Sequence, residues 1–140
     1  MISTAEARDA ILTAMPAFDS ESVSTNSSGG RILHQSVVAE RDQPPFDRVM
    51  MDGIALSFGD CDSGTRSFPI QATQAAGDEQ LSLENGKCIE IMTGASLPNG
   101  ADCIVPVERI RVTDGNAAIE ADYTTKQRQF IHPRGSDHKA

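Results

Sequence analysis

Apolar residues near the start of the chain recur at Ala7, Ile11, Leu12 and Met15, a spacing that predicts one amphipathic helix. Ser3-Thr4-Ala5-Glu6 ahead of it has the capping-box form, in which a hydroxyl and a carboxylate satisfy two of the free N–H groups at a helix start. Pro16 stops the pattern after about three turns. A helix so short is marginal alone and needs a surface to pack on. Residues 18–30, rich in Ser, Thr and Asn, read as a connector, and a short apolar element begins at Gly30-Arg31-Ile32-Leu33 and runs through Val37 and Val38 to Ala39.

Pro44-Pro45 blocks helix and imposes an extended backbone on what precedes it, so the lobe boundary is placed there. Beyond it the pattern changes to period two. Residues 51–56 read as a strand despite Gly53; Phe68, Ile70 and Ala72 alternate with polar neighbours, as do Ile89 and Ile91. Cys103-Ile104-Val105 is a continuous apolar run, expected of a strand buried on both faces. Ile110 and Val112 precede Asp114-Gly115, with Ala117 and Ile119 after it, and an Asp-Gly pair accepts the positive φ angles of a tight hairpin turn. The expected fold class is α+β. Residues 1–43 form an N-terminal helix and linker lobe, completed by 126–140, and residues 44–125 form a small, curved, mostly β lobe.

Composition narrows the function classes. A formal net charge of −8 argues against a nucleic-acid binder, which needs a basic stripe to displace counterions, and against an electrostatic membrane anchor. Arg128, Arg134 and Lys139 nevertheless gather near the C-terminus, where a local anion site or an ordinary mixed-charge surface are both open readings. Cys61, Cys88 and Cys103 have no metal-binding spacing and read as reduced thiols, the last two as small buried hydrophobes. No apolar run has membrane-spanning length and no leader pattern opens the chain, so the expected location is the cytoplasm.

Four stretches accumulate polar groups beside glycines: residues 45–55, 91–98, 100–108 and 134–137. Each has an ordinary reading. Asp52-Gly53 makes a turn in which the carboxylate bonds its own backbone; Thr93-Gly94 closes a strand; Asp102 accepts in a turn; Glu108 points to solvent; Arg134 and Asp137 form a surface ion pair. The chemical reading is that aspartates at strand ends are hard oxygen ligands suited to Mg²⁺. A Thr-Gly corner supplies donors for an oxyanion, and Arg134 can grip phosphate bidentately.

Taken in order, these stretches resemble the N-terminal region of the molybdopterin molybdenumtransferases (the MoeA/gephyrin family). That family shows Pro-Phe leading to Met-Asp-Gly, then Met-Thr-Gly-Ala with a Pro, Gly-Ala-Asp-x-Val-Val-x-x-Glu, and Arg-Gly-Glu-Asp. Gly30-Arg31-Ile32-Leu33 matches a further Gly-Arg-Val-Leu upstream, so the resemblance covers nearly all of residues 30–137. It implies a bifurcated β lobe and a parent enzyme that inserts molybdate into adenylylated molybdopterin with Mg²⁺ and loss of AMP. It also implies a homodimer with a cleft shared between subunits. On that resemblance Asp52 and Thr93 are the catalytic candidates, Asp52 also the metal ligand, and Arg134 and Asp137 the cofactor-binding pair.

The chain departs from the pattern at Val49 and Ile54, where the family commonly has Ser and Tyr around Met-Asp-Gly, and at Ser136, where Arg-Gly-Glu-Asp has its Glu. Nothing in it resembles the family's pterin-binding domain. The expectation is therefore an N-terminal fragment, inactive alone; the alternative is a stand-alone or degenerate dimerisation or scaffold module without catalysis.

Overall fold

The computed structural model describes residues 2–140, which divide into a first unit ending at Val37 and a second, Val38–Ala140. In the first unit, α1 (Thr4–Ala14) forms where the apolar spacing places it. Ser3 Oγ accepts the Glu6 N–H at 3.2 Å and the Glu6 carboxylate accepts the Ser3 N–H at 2.7 Å, which closes the capping box. Met15 turns extended ahead of Pro16 and ends the helix. No residue of α1 is buried, and Ile11, Leu12 and Met15 are exposed.

The apolar element expected over Gly30–Ala39 is not a strand. Ile32, Leu33, Val37 and Val38 are exposed and unpaired in any sheet, because an apolar run becomes a strand only where a neighbouring edge takes its N–H and C=O groups. The division at Val37/Val38 also places residues 38–43 with the sheet-bearing unit, together with 126–140. Gln43 bridges to His138, and the Arg134 Nε–H donates to Asp42 Oδ2 at 2.7 Å.

The second unit is built on eight strands: β1 (Arg48–Val49), β2 (Gly53–Leu56), β3 (Ser67–Gln74), β4 (Cys88–Ile91), β5 (Cys103–Pro106), β6 (Ile110–Thr113), β7 (Asn116–Ile119) and β8 (Ile131–His132). Six form a mixed sheet in the order β5-β2-β4-β3-β7-β6, and β1 with β8 makes a separate ribbon. Only β3 and β4 run parallel. The long β3 divides its pairing: Ser67–Pro69 bond to β7, and residues from Ile70 onward bond to β4 across a bulge at Gln71. The sheet thereby forks, as the family resemblance implies, and a bulge bends the strand that carries it. The β6–β7 hairpin closes through Asp114 (φ 49°) and Gly115 (φ 73°), the positive pair that this turn demands.

Period-two alternation sorts the core into two faces. Ile54, Leu56, Cys103, Val105, Phe68 and Cys88 pack on one side, where Cys61 of α2 (Phe58–Asp62) covers them. Ala55, Ile104 and Ile91 pack on the other, against Val49 and Ile131 of the β1–β8 ribbon. β2 and β5 are consequently buried at every position, as the unbroken apolar run at Cys103 suggests. The short α2 is not visible in the pattern. Its first N–H, on Phe58, is capped at 2.6 Å by Asp102 Oδ1, so Asp102 is the structural acceptor of its ordinary reading. Among the described residues no helix is long and apolar enough to cross a membrane.

Candidate functional site

Antiparallel register sends three chain segments off the same end of the sheet. Gly53 opens β2 opposite Ile91, the last residue of β4, and opposite Pro106, the last of β5. Asp52 therefore stands beside Met92 and Thr93 on one flank and Val107 on the other, where the Val107 N–H donates to the Asp52 carbonyl at 2.9 Å. Gly53 makes this convergence possible. A Cβ there would sit 2.0 Å from the Val105 carbonyl oxygen, so only glycine lets β2 approach β5 this closely.

Asp52 and Thr93 are joined. The Thr93 N–H and the Thr93 hydroxyl both donate to Asp52 Oδ1, each at 2.6 Å. The carboxylate thus bonds another segment 41 residues away instead of its own backbone. The Thr93 hydroxyl, and after it the N–H, hold the Asp52 carboxyl below the usual carboxylate range. Both residues are exposed, and exposed Met50, Met92 and Val107 flank them along the chain. Chemically, this is an ionised carboxylate with one oxygen fixed by two donors and the other, Oδ2, accepting from no described residue. It suits binding a cation or an electropositive centre; it does not suit proton donation near neutrality. Because the hydroxyl proton is directed at Asp52, the lone pairs of Thr93 Oγ1 remain available.

No three His, Cys, Asp or Glu side chains converge among the described residues, so no complete metal cage is present. Magnesium, however, keeps several waters and is commonly held by one or two carboxylates plus substrate phosphates. A single solvent-facing carboxylate oxygen fits that mode.

Arg134 and Asp137 do not pair with each other. Asp42 takes the Arg134 guanidinium, and Asp137 Oδ1 lies 2.8 Å from His132 Nε2. Ser136 Oγ approaches the same nitrogen at 3.2 Å. A Ser–His–Asp relay needs its hydroxyl and its carboxylate on opposite ring nitrogens, so this trio is no nucleophilic triad. Arg134 lines a shallow depression of about 360 Å³ with Asp47, Gln80, Asn99 and Arg128, and neither Asp52 nor Thr93 contributes to it. The structure unites the first candidate pair and leaves the second outside it.

Asp47 and His132 escape sequence reasoning. Asp47 Oδ1 accepts the Arg134 N–H at 2.8 Å and Oδ2 accepts the Arg128 guanidinium at 2.9 Å, across 87 and 81 residues that no local pattern spans. The Arg134 N–H first, and the Arg128 guanidinium as well, hold Asp47 below the usual carboxylate range against the upward push of burial. A folded value below the unfolded one adds stability that is complete above roughly pH 4 and is lost as pH falls through the folded value. The urea midpoint should therefore drop between about pH 5 and about pH 3, and drop less in Asp47→Asn. Identical acid losses in the two proteins would remove Asp47 as a source.

A family model for the MoeA N-terminal region (domain I and II) matches residues 2–140. The chain is 40% identical over 141 residues to a molybdopterin molybdenumtransferase of Synechocystis sp. strain PCC 6803, covering 100% of this chain and 36% of that protein. It is 33% identical over 123 residues to one from Synechococcus elongatus, covering 84% and 30%. Among solved structures, the molybdopterin biosynthesis moeA protein of Pyrococcus horikoshii OT3 superposes with a TM-score of 0.74 at 27% identity, over 86% of this chain and 33% of that one. The chain spans about a third of the length of the relatives it matches.

Proposed function

The chain belongs to the MoeA N-terminal region family, and from that premise we propose that, within a protein of its relatives' length, it serves the insertion of molybdate into adenylylated molybdopterin during molybdenum cofactor synthesis. What carries the reading is the convergence of Asp52 and Thr93 at an exposed sheet end, with one carboxylate oxygen locked and one free. Asp52 is the group that holds Mg²⁺ or the oxyanion's electropositive centre, and Thr93 orients it. When bound, Mg²⁺ supplies neutralisation of phosphate charge. Arg134, its Nε held by Asp42, takes an anionic portion of the substrate further along the surface, and Asp137 fixes the neighbouring His132. Residues 2–140 alone are inactive in this reading, because positional catalysis needs the substrate held by chain beyond them. In this reading the working assembly is a cytoplasmic homodimer, and the exposed apolar side chains Ile11, Leu12 and Met15 offer a surface for further packing.

The test grafts residues 2–140 in place of the matching region of the Synechocystis relative and asks for rescue of a molybdenumtransferase-deficient strain, read as nitrate reductase activity. The chimera should rescue. Asp52→Asn should lower rescue by about 100-fold or more, the scale of losing one electrostatic contact in a transition state. Full rescue by Asp52→Asn removes the pair from the reaction. No rescue by the unaltered chimera favours a scaffold role, with Val49, Ile54 and Ser136 as the incompatible positions.

A further inference from the structure

Among the described residues, Gln74 is the one buried polar side chain, with no exposed surface. Burying an amide costs several kcal/mol unless its hydrogen bonds are replaced, and here they are. Nε2 donates to the Ser96 carbonyl at 2.7 Å and lies 3.3 Å from Ser96 Oγ. Oε1 accepts the Leu81 N–H at 2.8 Å, and the Gln74 carbonyl accepts the Met92 N–H at 3.2 Å. The last residue of β3 thus grips the corner 92–96 at both ends, one residue before Thr93 and three after it. On the opposite side, the Val49 carbonyl accepts the Gly94 N–H and the Val49 N–H donates to the Ala95 carbonyl, each at 2.9 Å. Thr93 lies between two grips, with nothing but Asp52 touching its own donors.

We propose that Gln74 is the positioning residue of the Asp52–Thr93 pair: its buried amide clamps the far end of the corner so that the Thr93 N–H and hydroxyl converge on one carboxylate oxygen. This rests on the reading of that pair as the working edge. A shape-matched apolar side chain would fill the same space without needing partners. The amide instead bridges the loop after β3 and the corner after β4, which packing alone does not require. Thr93 must place two donors within 2.6 Å of one atom, and a corner loose at Ser96 leaves its orientation undetermined.

The experiment follows the side-chain carboxyl carbon of Asp52 by NMR titration in the ¹³C-labelled chain. Thr93→Val, which removes one donor, sets the upward displacement of the midpoint. Gln74→Met, unbranched and similar in length, should reproduce roughly half or more of it. Gln80→Met removes a comparable loop clamp, the 2.6 Å bond from Gln80 Nε2 to the Leu97 carbonyl, and should leave Asp52 unmoved. If Gln74→Met does not fold, Gln74→Asn, which retracts the amide by one methylene, should give the same displacement. A folded Gln74 variant with an unchanged Asp52 midpoint overturns the proposal. So does an equal effect from Gln80→Met, or loss of the fold in both Gln74 variants, which would make the amide a fold determinant only. Because the readout is a titration, failure of the catalytic reading in the rescue assay leaves this result standing, and the reverse also holds.

Discussion

Replacing Gly53 with alanine is expected to cost about 3 kcal/mol or more, since overpacking and backbone strain coincide at one residue. The added Cβ would meet the Val105 carbonyl oxygen at 2.0 Å and the Val105 and Pro106 carbonyl carbons at 2.9 Å. All three are backbone atoms. A flexible side chain could swing aside, but β5 cannot retreat, because each of its four residues is buried and paired to β2. Nor can β2 yield, held between β4 and β5. The φ of +154° adds a conformation that side chains rarely adopt. Gly86 is the control: its φ is +72° but a Cβ there meets nothing within 4 Å, so Gly86→Ala should cost only about 1 kcal/mol. Urea unfolding followed by far-ultraviolet circular dichroism separates the two. Equal, small losses would mean that the strands slide apart more easily than their burial implies. The site suffers with the fold, since Asp52 is carried on the residue immediately before the contact.

Phe68→Ala should cost about 3–5 kcal/mol, the usual range for truncating a buried aromatic ring, which is a large part of a typical domain's stability. Phe68 is the largest fully buried side chain, in a chain with no Trp, one Tyr and five Phe. It sits where β3 passes from its β7 partner to its β4 partner. The cavity therefore opens at the fork of the sheet, among Ile54, Leu56 and Val105. Phe46, 41% exposed, gives the contrast: Phe46→Ala should lie within about 0.5 kcal/mol of the parent. A Phe68→Ala midpoint as mild as that of Phe46→Ala would show that the core collapses around the missing ring.

What local chemistry dictates is legible in the sequence. The Ser3–Glu6 cap, the Asp114-Gly115 turn and the strands β3 and β4 each follow from residues a few positions apart, and each forms, although burial alternates cleanly only over Ser67–Pro69. So does the two-sided burial of β5. What depends on distant partners is not. The capping of α2 comes from Asp102, 44 residues on. The β1–β8 ribbon joins segments too short to leave a periodic signal, and Gln74 looks like any strand-end glutamine until its burial is known. The run at Ile32 and Leu33 failed in the opposite sense, since hydrophobicity without a partner edge is only exposed surface. The meeting of Asp52 and Thr93 follows from family resemblance, not from spacing. The register of β2 with β4 supplies its physical cause.

Cys61, Cys88 and Cys103 are all buried and free, and burial pushes Cys88 up to about 11 and Cys103 up to about 12, with Cys61 also raised. Thiolate is the reactive form, and the folded chain offers almost none of it. Thiol-directed oxidants and soft metal ions therefore find no reactive cysteine in the folded chain, and these three side chains become targets only when it opens.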